Sequence, residues 1–222
     1  MNGKLIVLEG TDASGKSTQF ACLCHKLEEK TKHFQRLVFP RYDQESSALI
    51  RMYLQGAFGS KPEDVNPYAA STFFAVDRFA SYRSDWKTTY ENGGLILADR
   101  YTTSNAIHQA SKLEGEAQEA YLNWLFDFEY RLMELPKPDL VLFLDMPPIY
   151  EGQLLRDRTG KEEDIHEQDK EYLKKCYETA SKIAEKENWV RIPCVKQGKI
   201  RSIEEIAADI WKTVEGAISS LC

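Results

Sequence analysis

One stretch near the start, Gly10-Thr11-Asp12-Ala13-Ser14-Gly15-Lys16-Ser17, fits G-x-x-x-x-G-K-[ST] and limits the folds open to this chain more than any other feature. The residues before it, Lys4 to Glu9, form an apolar run with β-branched Ile6 and Val7, which reads as a buried strand. The residues after it, Ser17 to about Lys32, carry Phe20, Leu23, Cys24 and Leu27 at helical spacing. Strand, glycine-rich turn and helix are the context in which the motif binds phosphate. Gly10 and Gly15 let the main chain curl so that successive N–H groups converge at a helix N-terminus, an anion nest. Lys16 reaches the β- and γ-phosphates, and the Ser17 hydroxyl is placed to ligate Mg²⁺. Residues Gly10 to Thr18 are thus the expected ATP site.

Further apolar runs predict strands at Arg36–Phe39, Leu95–Ala98, Asp139–Leu144 and Trp189–Ile192. Between them the periodicity predicts helices over Ala48–Leu54, Tyr68–Glu91, Thr103–Lys112, Glu116–Glu134, Lys170–Glu187 and Ile203–Ile218. Five short strands alternating with helices imply an α/β, three-layer P-loop NTPase fold: a five-stranded parallel sheet flanked by helices, with the first strand central. No linker or repeat divides residues 1–222, so one domain is expected.

A formal charge of −6 argues against a nucleic-acid polymer as partner, though not against a nucleotide, which needs only a local cationic cluster. No apolar run is long enough to suggest a membrane span or leader. The five cysteines include no C-x-x-C pair, and reduced thiols in the cytoplasm are expected.

A P-loop alone does not separate kinases from switches and transport ATPases. Asp99-Arg100-Tyr101 directly follows the third predicted strand, at the edge where ligands bind. There Asp99 can orient Mg²⁺ or its waters, and Arg100 can clamp a second phosphate. Neither a guanine-reading N-K-x-D nor an L-S-G-G-Q is present. On these motifs, with Phe39-Pro40-Arg41-Tyr42, Phe73-Phe74-Ala75-Val76-Asp77-Arg78, Ser104-Asn105 and Pro136-Lys137-Pro138-Asp139-Leu140, the chain resembles the thymidylate kinase family from Ile6 to about Tyr172.

The resemblance implies ATP- and Mg²⁺-dependent phosphorylation of dTMP to dTDP by a homodimer. It assigns Asp12 to the deoxyribose 3′-hydroxyl, Phe74 to stacking on thymine and Arg78 to the base carbonyl at position 4. Phe74 and Arg78 stand at i and i+4, on one helix face. Ser104 and Asn105 are implied at the base edge, Tyr42 near the sugar, and Arg41 and Arg100 at the acceptor phosphate. Lys16, Arg100, Arg156 and Arg158 are the implied catalytic cations, with Ser17 and Asp99 at the metal. Glu9 is a further candidate for positioning metal-bound water. The sequence departs from the pattern twice. Ala13 stands where some members carry a P-loop arginine, which directs attention to Arg156–Lys161, within the short lid that the resemblance implies over about 150–169. His108 stands where many relatives have a tyrosine, leaving exclusion of ribonucleotides open. Alternatives are a related nucleotide or deoxynucleoside kinase with another acceptor, and a non-catalytic nucleotide-binding switch.

Overall fold

The computed structural model describes residues 2–12, 14–30, 33–150, 166 and 169–219. Its centre is a five-stranded, wholly parallel sheet in the order β2-β3-β1-β4-β5. The strands are β1 (Lys4–Gly10), β2 (Phe34–Val38), β3 (Leu95–Asp99), β4 (Leu140–Asp145) and β5 (Val190–Pro193). The expected central first strand is therefore observed. On β1, Leu5 and Val7 face one side of the sheet and Ile6 and Leu8 the other, all four fully buried. Burial of such side chains on both faces stabilises by about 1.5–3 kcal/mol each and leaves no solvated face.

One face is covered by α1 (Lys16–Lys30) and α8 (Ile203–Ile218). Ser202 and Glu205 close a reciprocal capping box at the start of α8. The other face carries α3 (Pro67–Ser81), α4 (Lys87–Glu91), α5 (Thr102–His108), α6 (Gly115–Phe126) and α7 (Lys170–Lys186). A short α2 (Ala48–Leu54) packs under α3. Among the described residues no helix is long and apolar enough to cross a membrane.

Three elements differ from the periodicity reading. The Tyr68–Glu91 helix is interrupted by a π-helical segment at Tyr82–Trp86, whose wider turn accompanies full burial of Trp86. The Glu116–Glu134 helix is interrupted likewise at Asp127–Leu132. A hairpin of β6 (Val195–Lys196) and β7 (Lys199–Ile200) follows β5 and was not expected. Its two-residue turn holds Gln197 and Gly198 at φ 52° and 74°, the left-handed pair such hairpins require.

Candidate active site

The site lies beyond the carboxyl ends of β1 and β3, which are neighbours in the sheet. β1 runs into the phosphate loop and α1 begins at Lys16, so the loop caps a helix whose first turn contains no acidic residue. Two glycines are dictated by geometry. A Cβ on Gly10 would lie 2.6 Å from Ser14 Oγ and 3.3 Å from Leu144 Cβ, and Gly15 has φ +81°. Lys16 is buried, with Nζ 3.8 Å from Asp99 Oδ1. Burial and the nearby Arg100 guanidinium push its ammonium pKa down, opposed by Asp99, Asp12 and Glu9. Ser17 and Thr18 are exposed at the loop's open end. Ala13, Arg156, Arg158 and the rest of Arg156–Lys161 lie outside the described residues.

Arg100 is the hub. It adopts φ +66°, unusual for a residue with a side chain, and its backbone N–H donates to Leu8 O at 3.1 Å. Its Nη2 donates to Asp12 Oδ1 at 2.5 Å, while Nη1 lies 3.3 Å from Ser104 Oγ, 3.3 Å from His108 Nε2 and 3.6 Å from Glu9 Oε1. Glu9 is fully buried. Its Oε2 accepts from Thr103 and Ser104 at 2.8 Å each, and its Oε1 accepts from the Gly10 N–H. Both oxygens are thus engaged in holding α5 and Arg100 rather than facing open solvent. Burial would raise the Asp12 carboxyl, but Arg100, with His108, Lys16 and His166, together outweigh it and hold the acid well below the ordinary carboxylate range.

Beside Arg100 opens a pocket that is partly open to solvent. It is walled by Asp12, by Phe39, Pro40 and Tyr42 after β2, by Leu54 of α2, by Phe74, Asp77 and Arg78 of α3, by Tyr101, by Ser104, Asn105 and His108 of α5 with Gln109 after it, and by His166. The structure therefore brings together seven of the acceptor-side candidates: Asp12, Tyr42, Phe74, Arg78, Arg100, Ser104 and Asn105. Phe74 is half-buried and meets Tyr53 edge-on at 6.3 Å. Arg78 is buried and paired with Glu129.

Arg41 does not line this pocket. Its guanidinium bonds Asp77 Oδ1 at 3.2 Å, Asp85 Oδ2 at 2.5 Å and Ser46 Oγ at 3.0 Å, which ties the β2 loop to α3. A cation directly after a strand looks the same in sequence whichever way it turns. Ser104 is also committed, its hydroxyl donating to Glu9, and Asn105 Nδ2 donates to the Ser71 carbonyl at 3.2 Å.

Sequence reasoning missed Gln109 and His166. Gln109 is buried, and its Oε1 at the pocket wall has no hydrogen-bond partner among the described residues, an acceptor suited to an N–H of a bound base. Its position four residues after Asn105 was the available signal. His166 Nε2 lies 2.8 Å from Tyr53 OH, and its ring stacks on His108 at 5.7 Å and 13°.

His108 makes a pH prediction. Burial, with Arg100 and Lys16 nearby, lowers its pKa from 6.5 to about 4, against the pull of Asp12. The folded form then binds fewer protons than the unfolded chain, so this contribution is complete above about pH 6.5 and is lost as pH falls through 4. Over that window it amounts to about 3 kcal/mol. Denaturant titrations of the wild type and His108→Phe from pH 7.5 to 4 should show the variant losing stability less steeply. Parallel curves would remove His108 from the account.

Donor loop and acceptor pocket, joined through one arginine on neighbouring strand ends, define a P-loop kinase with a separate site for its acceptor. The family model for thymidylate kinase matches residues 8–207, and the chain belongs to the thymidylate kinase family. A thymidylate kinase of Plasmodium falciparum is 30% identical over 212 residues, covering 96% of this chain and 90% of that protein. One from Mycobacterium tuberculosis is 31% identical over 172 residues, covering 75% and 79%. The solved structure of a Candida albicans thymidylate kinase shares the fold, with TM-score 0.69 and 23% identity over 97% of this chain and 92% of the other.

Proposed function

We propose that this chain transfers the γ-phosphoryl group of ATP to the phosphate of dTMP, giving dTDP and ADP, with Arg100 as the residue common to both substrates' sites. The observation that carries the reading is the Arg100 guanidinium: it is held by Asp12 of the phosphate loop and forms a wall of the acceptor pocket. As a member of the thymidylate kinase family the chain is an ATP-dependent nucleotide kinase.

The attacking group is a phosphate oxygen, already anionic at neutral pH, so no general base is needed. Catalysis reduces to alignment and to offsetting repulsion between two polyanions, roughly 4 kcal/mol per charge pair at 4 Å in an effective dielectric near 20. Lys16 and the loop N–H groups hold the donor phosphates, and Arg100 holds the acceptor phosphate. Phe74 stacks on thymine, Arg78 meets its carbonyl at position 4, and Gln109 and Asn105 face its edge. Asp12 takes the 3′-hydroxyl and Tyr42 borders the sugar. Arg41 acts from behind, fixing Asp77 and the β2 loop. Arg156 and Arg158, in the segment of about 150–169 that lies largely outside the described residues, are the further cations proposed for the transfer within a single domain.

Asp99 Oδ1 is buried with no hydrogen-bond partner among the described residues, and a hard carboxylate oxygen beside a phosphate loop suits Mg²⁺. Asp99 and Ser17 would hold that ion, directly or through its waters, and when bound it neutralises phosphate charge. The exposed apolar side chains Val76 and Phe79 on α3 are the contact face proposed for a homodimer. The enzyme works in the cytoplasm.

ADP release measured with dTMP, dUMP, dCMP, dGMP, AMP and thymidine tests the reading. The expected result is acceptor-dependent turnover greatest with dTMP. ATP consumption no faster with dTMP than without it would overturn it.

A further inference from the structure

The acceptor pocket owes one of its walls to a residue that lies outside it. Glu129 is fully buried in the π-helical segment Asp127–Leu132, and its carboxylate grips Arg78 as a fork. Arg78 Nε donates to Glu129 Oε2 at 2.7 Å and Nη2 to Oε1 at 2.5 Å. Thr102 Oγ1, on the first turn of α5, donates to the same Oε2 at 2.7 Å. The remaining nitrogen, Nη1, has only a long 3.4 Å contact to the Tyr101 carbonyl.

A guanidinium is planar, and a bidentate carboxylate fixes its plane and its rotation. With the Nε–Nη2 edge committed to Glu129, the Nη1 corner is what Arg78 can offer a ligand. Thr102 in turn ties the carboxylate to the helix that bears Ser104, Asn105 and His108. A flexible arginine with no such partner would meet a base carbonyl from many angles and lose rotamer entropy on doing so.

We infer that Glu129 is the positioning residue that sets the direction in which Arg78 presents its N–H groups to the acceptor base, and so governs discrimination between a carbonyl and an amino group there. This rests on the reading of Arg78 given under the proposed function. The chemistry behind the discrimination is simple. Arg78 only donates, so an aimed N–H favours a pyrimidine with an acceptor oxygen at position 4 over one with an amino group. Removing the aim weakens the favoured partner and leaves the disfavoured one little changed.

The test compares wild type, Glu129→Gln, Thr102→Val and Arg78→Lys with dTMP and dCMP as acceptors. Rates are normalised to active protein by ATP-analogue binding. Glu129→Gln keeps the shape and loses the charge. It should raise KM for dTMP roughly tenfold, with KM for ATP and kcat within about twofold, and shrink the dTMP-over-dCMP ratio of kcat/KM by a similar factor. Thr102→Val, which releases the carboxylate from α5 without removing it, should move the ratio the same way by a smaller factor and decides the matter if Glu129→Gln does not fold. An unchanged ratio, or an equal fall for both acceptors, would overturn the positioning role. If Arg78→Lys itself leaves the ratio intact, the assignment of Arg78 to the base is what fails.

Discussion

Lys16→Ala should lower kcat for phosphoryl transfer by about 10²–10³-fold or more, while the fold and its melting temperature are retained. Lys16 is the first residue of α1 and is buried, and burial works against its charge. Replacing it by alanine removes a cation that the folded state holds at a cost and substitutes the best helix former. Stability should therefore be equal or slightly higher, even as the donor phosphates lose their principal side-chain charge. Coupled ADP release and a thermal melt on the same sample check both halves. Turnover near wild type would defeat the assignment of the loop.

Arg100→Met should lower kcat/KM for dTMP by about 10³-fold or more, and unlike the lysine change it should also destabilise the protein by about 3 kcal/mol. The difference follows from what each cation touches. Lys16 has one acid, Asp99, at 3.8 Å, whereas Arg100 spans Asp12, Glu9, Ser104 and His108. Taking it away removes the guanidinium that pairs with both Asp12 and Glu9, and leaves fully buried Glu9 with neutral donors only. ATP binding, measured separately, should be weakened far less than dTMP binding. Arg100→Lys should not rescue, because a point charge on a flexible stem cannot reach all four partners at once. A lysine variant with wild-type kcat/KM would show that only the charge matters.

Much of this was legible from residue order, and the reasons are physical. The phosphate loop could be read because an anion nest demands glycine at two fixed positions and a lysine next to the second. The sheet could be read because its strands are short apolar runs broken by Pro and Gly. Phe74 with Arg78 carried its own geometry, since four residues is one turn of a helix. What escaped depends on which way a side chain turns. Arg41 and Arg100 are both arginines just beyond a strand end. Arg41 closes on Asp77 and Asp85, Arg100 on Asp12, and nothing local to either says so.

Glu129 was visible in principle. It stands four residues after Leu125 and eight after Tyr121, on the stripe that α6 buries, where an acid needs a cationic partner. A charged residue at a core position is a request for its counter-ion, and Arg78, read only for its place at the base, supplies it. The π-helical segments escaped because nothing in a 3.6-residue pattern marks where one extra residue enters a turn. His166 escaped because it lies in a polar stretch read only for its positive charges.

The backbone bond from Arg100 N–H to Leu8 O has a consequence for how the reaction distance is set. It continues the β1–β3 ladder, in which Leu8 stands opposite Asp99, one residue past the end of β3. The grip on the donor and the grip on the acceptor thus spring from neighbouring strands, about 4.8 Å apart. That pairing fixes where both grips begin, and the loop and the Arg100 side chain carry the two phosphates from there toward the roughly 3–3.5 Å of a reactive approach. The pitch of the sheet serves as the caliper, so a bulge inserted in either strand would spoil the alignment while leaving every ligand-touching side chain in place.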